Sequence, residues 1–112
     1  MSPLKITVRD AATGPVLEVA GELDYATAPG LRDLVTTLTL RPGQRLVVDL
    51  SGMGFCDSSG LTALLAARHH AHAAQAEIAL AAVPAHTLRT LHIVGLDQIF
   101  TLRPDAESAT RA

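Results

Sequence analysis

A carboxylate and two hydroxyl groups stand side by side at Asp57, Ser58 and Ser59. Asp57 and Ser58 are both residue types that cap helix N-termini. Leucines then follow at the i, i+3, i+4 spacing of one apolar helix face, at positions 61, 64 and 65. The free N–H groups and the dipole of a first helical turn stabilise added negative charge by about 0.3–1 kcal/mol. The fold therefore tolerates a phosphate on Ser58, which would add about −1.5 to −2 charges beside Asp57.

The segment before this helix predicts the element that positions it. Leu46, Val47 and Val48 are uniformly apolar, which is typical of a strand covered on both faces. The small residues from Ser51 to Gly54 predict a turn after that strand. The stretch from Leu46 to Arg68 is therefore predicted to be a strand, a small-residue loop and a helix.

The rest of the chain alternates strands and helices around this segment. Hydrophobic periodicity and the Pro and Gly positions predict further elements: strands at Leu4–Val8, Val16–Gly21, Ile78–Ala82 and Ile99–Leu102, a helix capped by Thr27 and ending before Arg41, and a helix from Pro84 to Gly95. The first two strands form a hairpin and the later order implies parallel crossovers, so the class is α/β. Asp24 and Asp57 each follow a strand, which predicts that they meet at one edge of the sheet.

Three segments together resemble the anti-sigma factor antagonists, bacterial regulators of the STAS domain family. They are GELDYATAPGLRDLV, VVDLSGMGFCDSSGLTALL and LHIVGLDQIFTL, within a resemblance that spans Leu4 to Leu102. The resemblance implies one STAS domain over residues 1–112, with a mixed sheet of about five strands and three to four helices packed mainly on one face. Residues 103–112 lack the Leu or Ile of a docking helix and are predicted to form a short or frayed tail.

The resemblance also implies a function without catalysis by this chain. The unphosphorylated protein would bind an anti-sigma factor with serine kinase activity and release the sigma factor, phosphorylation would end binding, and a serine phosphatase would restore it. The phosphoacceptor falls on Ser58, with Ser59 as the runner-up. The expected partner-binding residues surround it: Glu22, Asp24, Asp57, Ser58, Ser59, Gly60 and Leu61. The alternative is a STAS adaptor or ligand-sensing subunit that does not switch, in which Asp57 and Ser58 only shape a docking edge.

Composition narrows the possible partners. The chain has 112 residues, a formal net charge of −2 and three aromatic residues, which provides neither a basic face nor stacking platforms for nucleic acid. No apolar run approaches the roughly 18 residues needed to span a bilayer. The chain has one cysteine, Cys56, which excludes an intrachain disulfide, so we expect a reducing cytoplasm. The charge, the aromatic count and the short apolar runs lead us to expect no direct nucleic-acid partner and no membrane partner.

Other chemistries fit the residues poorly. Gly52 and Gly54 begin a dinucleotide-like pattern, but Asp57 occupies its sixth position, where a pyrophosphate would sit. Ser58 lies outside the Gly-x-Ser-x-Gly pattern of hydrolases. His69 and His72 have helical metal-ligand spacing with no nearby carboxylate or cysteine. We therefore expect no cofactor, metal site or catalytic residue, and we interpret Cys56 as a small buried apolar residue.

Overall fold

A computed structural model describes residues 3–111. One mixed five-stranded sheet, with strands in the order β1-β2-β3-β4-β5, forms the centre of the molecule. β1 and β2 pair antiparallel, and all later neighbours are parallel. The elements in chain order are β1 (Lys5–Ala11), β2 (Gly14–Leu23), α1 (Ala28–Thr36), β3 (Arg45–Cys56), α2 (Ser58–Ala73), β4 (Glu77–Ala81), α3 (Ala85–Val94), a 3₁₀ turn (Leu96–Gln98), β5 (Thr101–Arg103) and α4 (Ala106–Ala109). The predicted α/β class, hairpin and parallel crossovers are confirmed.

The main core lies between the sheet and helices α1, α2 and α3. Alternate residues of β3, Leu46, Val48 and Leu50, face this layer and are completely buried. Leu31 of α1 and Leu64 of α2 meet them there. Mostly aliphatic side chains fill this layer. The prediction that the helices pack mainly on one face of the sheet is confirmed.

The opposite sheet face has its own small apolar cluster. Val47 of β3 is fully buried on that face together with Val16 and two alanines of β4, Ala79 and Ala81. Ala109 of α4 covers them and is itself completely buried. The prediction that Leu46, Val47 and Val48 form a strand covered on both faces is therefore confirmed, and α4 supplies the second cover.

The last element, α4, is short but is held against the rest of the molecule by hydrogen bonds. Asp105 caps α4 by accepting from the Ser108 N–H at 2.7 Å, and Arg45 Nη1 donates to the carbonyls of Ala109 at 2.9 Å and Arg111 at 3.0 Å. The expectation that alanines make a poor docking face is wrong here, because the sheet face beneath is built from equally small residues.

The predicted turn from Ser51 to Gly54 is also wrong, because β3 continues through it to Cys56. Gly52 lies opposite Ala20 of β2, and a Cβ on Gly52 would lie 3.0 Å from the Ala20 Cβ. The small residues therefore serve a close approach of two strands, at a place where the register shifts. Their consequence is a longer central strand that leads directly into α2.

Smaller differences concern element ends. α1 stops at Thr36, short of the predicted end before Arg41, and Leu38 lies beyond the helix but still packs against the core. α3 begins after Pro84 and ends at Gly95, whose φ of 80° is left-handed, as predicted. Within residues 3–111 no helix has the length and apolar character to cross a membrane.

Replacing Ala109 by Leu tests the packing of α4. Three extra carbon atoms do not fit between α4 and the sheet, so we expect the free energy of unfolding to fall by about 1–3 kcal/mol in urea denaturation. Ala12→Leu, at an exposed turn position, is the matched control and should change it by less than about 0.5 kcal/mol. Unchanged stability of Ala109→Leu would show that the tail is not packed on the sheet.

Candidate functional site

The carboxyl ends of β2 and β3 place two acidic residues at one edge of the sheet. Leu23 and Cys56 are register partners in this parallel pair, and Asp24 and Asp57 follow them directly. The Asp57 N–H donates to the Leu23 carbonyl at 3.2 Å. The predicted convergence of Asp24 and Asp57 at one edge is confirmed.

Asp57 joins two segments of this edge through its side chain. Its Oδ1 accepts from the Gly60 N–H at 3.0 Å, which caps α2 in the predicted way. Its Oδ2 accepts from the Tyr25 N–H at 3.2 Å, in the loop that leads to α1. One carboxylate therefore fixes the start of α2 relative to the β2–α1 loop.

Asp24 orders that loop from within. Its Oδ1 accepts from the N–H groups of Ala26 at 3.0 Å and Thr27 at 3.1 Å. Thr27 is the residue before α1, as predicted, but its hydroxyl does not cap the helix; it donates to the Glu22 carbonyl at 2.7 Å. Asp24, which the sequence analysis names as an expected partner-binding residue, therefore also has a structural role in this loop.

The two serines differ in their accessibility. Ser58 is the first residue of α2 and is exposed, while Ser59 is partly buried. Ser59 contributes with Thr62 to a shallow groove of about 230 Å³ between α1 and α2. Of the two candidate serines, Ser58 is therefore the more accessible to solvent.

Gly60 and Leu61 hold α2 in place beneath Ser58. Gly60 is buried, and a Cβ there would lie 2.7 Å from the Leu23 carbonyl oxygen and 2.6 Å from Cys56 Sγ. Leu61 is partly buried and packs against the main core. At position 60 the start of α2 therefore approaches the end of β2 so closely that only glycine fits. Gly60 is thus a positioning residue, and it exposes no surface to a partner.

The environment of Cys56 disfavours the thiolate form of its side chain. Burial, followed by the charge of neighbouring Asp57, raises the pKa of the Cys56 thiol to about 11. These causes outweigh the stabilisation of a thiolate expected from the nearby start of α2. Cys56 packs against the main core as a small apolar residue, as interpreted, but it is partly buried and not fully buried.

The residues considered for dinucleotide binding and for metal binding are not arranged as such sites within residues 3–111. Gly52 and Gly54 lie inside β3, so they form no phosphate-binding loop before a helix. His69 and His72 are exposed on α2, and within residues 3–111 no group of three or more His, Cys, Asp or Glu side chains is placed to hold a metal ion.

Sequence reasoning passed over two side chains at this edge, Tyr25 and Arg32. Both line the α1–α2 groove beside Ser59. Tyr25 could have been noticed as one of only three aromatic residues, placed directly after Asp24. Nothing in the sequence pattern separates Arg32 from an ordinary surface arginine of a helix.

Replacing Gly60 by Ala tests the close packing of α2 on β2. The added methyl group meets a backbone carbonyl that cannot move alone, so we expect a loss of about 1–3 kcal/mol in the free energy of unfolding. Gly30→Ala in α1 is the matched control: its Cβ has open space, and we expect a gain of about 0.5–1 kcal/mol. Equal effects of the two substitutions would contradict the proposed packing.

Alkylation by iodoacetamide tests the environment of Cys56. A pKa of about 11 instead of 9.0 leaves roughly a hundredfold less thiolate at about pH 8, so the native protein should react about a hundredfold more slowly than the urea-unfolded protein. The native rate should keep rising with pH up to about 11. Equal rates for native and unfolded protein would show that the thiol is freely accessible.

Comparison with known proteins places this geometry in a family. The family model described as "Mlab, STAS domain" matches residues 6–104. The anti-sigma-F factor antagonist RsfB of Mycobacterium tuberculosis is 32% identical over 99 residues, which cover 88% of this chain and 80% of that protein.

Solved structures share the fold. The crystal structure of an anti-sigma factor antagonist from Mycobacterium paratuberculosis superimposes with a TM-score of 0.83 at 30% identity, covering 97% of this chain and 95% of that one. A sulfate transporter family protein from Wolinella succinogenes, at 14% identity and a TM-score of 0.74 over 85% of this chain and 80% of that one, shows the same fold alone. The mixed sheet and these matches together identify the chain as a member of the STAS domain family of anti-sigma factor antagonists.

Proposed function

We propose that this protein is a phosphorylation-controlled antagonist of an anti-sigma factor that is also a serine kinase. The observation that supports the proposal most is the exposed Ser58 at the first position of α2, beside the carboxylate of Asp57. Unphosphorylated, the protein binds the anti-sigma factor and frees the sigma factor in the cytoplasm. A serine phosphatase resets the phosphorylated form.

The binding surface in this proposal is the edge where β2 and β3 end. Glu22, Asp24 and Asp57 supply its acidic rim, with Ser58 and Ser59 at its centre. Leu61 and buried Gly60 position these groups from below. The kinase supplies the nucleotide and the catalytic groups, while this chain supplies the hydroxyl.

Phosphate on Ser58 ends binding through charge and not through unfolding. Two added charges at the centre of an interface lose their water when the partner docks, and an unpaired buried charge costs several kcal/mol. A thousandfold loss of affinity requires about 4 kcal/mol, which is within that range. The start of α2 meanwhile stabilises the phosphate, so the switch acts on binding and leaves the fold intact.

A second candidate is an adaptor that does not switch. Two observations favour keeping it: the same fold occurs in a sulfate transporter family protein, and both Asp24 and Asp57 already serve backbone hydrogen bonds that shape the edge. Mass spectrometry of the protein from its native cells separates the two candidates. An adaptor shows no Ser58 phosphopeptide under any growth condition.

Phosphorylation and binding by purified anti-sigma factor kinases of the source organism test the switch. For the kinase that modifies the wild type, Ser58→Ala should abolish phosphate incorporation and retain binding, because only the acceptor hydroxyl is lost. Ser58→Asp should raise Kd about tenfold or more, since it places a charge at the centre of the interface. Ser59→Ala keeps the Ser58 hydroxyl and should still incorporate phosphate, whereas loss of incorporation in this variant alone would assign the modification to Ser59. Undiminished phosphorylation of Ser58→Ala would contradict the assignment.

A further inference from the structure

Aromatic side chains are scarce in this chain, and two of the three lie at the edge that holds Ser58. Tyr25 is 73% exposed and Phe55 is 48% exposed, whereas Phe100 is buried in the core. Phe55 is the register partner of Glu22, and the Tyr25 N–H bonds to Asp57. Exposing a large apolar ring gains nothing for folding, whereas Tyr is enriched among the residues that dominate binding energy at protein interfaces.

Tyr25 forms one wall of the α1–α2 groove. Ala28, Pro29 and Arg32 of α1 form the adjoining wall, and Ser59 and Thr62 of α2 close the other side. The groove begins one residue after Ser58. It is a shallow depression lined by both apolar and polar side chains, with one cationic side chain, next to the proposed phosphoacceptor.

Arg32 is the cationic side chain of this groove. The ion pairs within residues 3–111 involve Arg9, Arg45, His92 and Arg111, and Arg32 takes part in none of them. An arginine fork binds a carboxylate through two parallel hydrogen bonds, and arginine is enriched at interface hot spots. The side chain is thus available for a carboxylate of a partner.

A protein that contacts Ser58 also covers the groove. Specific interfaces bury about 800 Å² on each partner, a patch of roughly 30 Å across. Ser59 lies in the groove itself, and Tyr25 lies within one hydrogen bond of Asp57. A kinase docked over Ser58 therefore meets both Tyr25 and Arg32.

We propose that Tyr25 and Arg32 anchor the anti-sigma factor kinase, with the Tyr25 ring against apolar groups of the partner and Arg32 paired to one of its carboxylates. This inference rests on the proposed function and names the chemistry of the contact. It also gives the switch a second physical cause: a phosphate on Ser58 stands next to the groove that receives the partner's carboxylate, and two like charges repel.

Binding of the unphosphorylated variants to the kinase that modifies Ser58 tests the anchor. Tyr25→Ala should raise Kd at least about tenfold, because the ring is lost while its backbone bond to Asp57 stays. Arg32→Glu should raise Kd at least about tenfold, and Arg32→Lys should have a smaller effect, since lysine keeps the charge but not the fork. Urea denaturation of each variant should match the wild type, because neither side chain packs in the core.

Matched controls remove one apolar side chain and reverse one arginine on α3, none of whose residues lines the α1–α2 groove. Ile93→Ala removes an apolar side chain that is 74% exposed, and Arg89→Glu reverses an exposed cation. Both should keep Kd within about twofold of the wild type.

The outcomes separate the anchor from the switch. If Tyr25→Ala and Arg32→Glu bind like the wild type while Ser58→Asp binds weakly, the anchor is overturned and the switch stands. If Arg32 instead serves the phosphorylated protein as an internal partner for the phosphate, Arg32→Glu leaves unphosphorylated binding unchanged, which also overturns the anchor. Absence of any binding or Ser58 phosphorylation in the wild type overturns both proposals.

Discussion

The geometry of the site depends on one carboxylate that accepts two backbone N–H groups. Asp57 holds the Gly60 N–H at the start of α2 and the Tyr25 N–H in the loop before α1, so two helices begin at positions fixed relative to each other. The parallel pairing of β2 and β3 supplies the constraint that makes this possible, because it ends both strands at the same height. Gly60 then allows α2 to start in contact with the Leu23 carbonyl. A hydroxyl on the first residue of α2 is presented by rigid elements and not by a mobile loop.

The two faces of the sheet carry side chains of different size. Leucines fill the face beneath α1, α2 and α3, whereas valines and alanines line the opposite face under α4. Small residues bring α4 close to the sheet and let a helix of only four residues bury apolar surface. The first half of β3, at Leu46–Val48, is therefore buried on both faces, although three of the four α-helices within residues 3–111 lie on one side.

The sequence predicts most of the architecture because its signals are local. The apolar run at Leu46–Val48, the caps near Ser58 and the Pro84–Gly95 helix all follow from periodicity and capping chemistry, and the structure confirms them. The turn at Ser51–Gly54 was predicted wrongly because small residues signal both a turn and a close approach of strands. Only the pairing of Gly52 with Ala20, which is nonlocal, decides between the two.

The packing of Ala109 could not be predicted for the same reason. It depends on the small size of the residues that it contacts on three different strands, and the sequence of residues 103–111 carries no information about them. The convergence of Asp24 and Asp57 followed from topology, whereas the hydrogen bond from Tyr25 depends on atomic geometry that no pattern encodes.

The two ends of the described chain lie at opposite ends of the sheet. Arg45 and Thr13 hold the carbonyls of Ala109, Thr110 and Arg111 near the β1–β2 turn and the start of β3. Pro3, in contrast, lies against Gly21 near the carboxyl ends of the strands, where Ser58 is found. A fluorophore on residue 111 therefore leaves the Ser58 edge open, whereas one on residue 3 stands on the same side of the sheet as Ser58. The choice of labelling position within the described residues thus determines whether a partner can still reach the site.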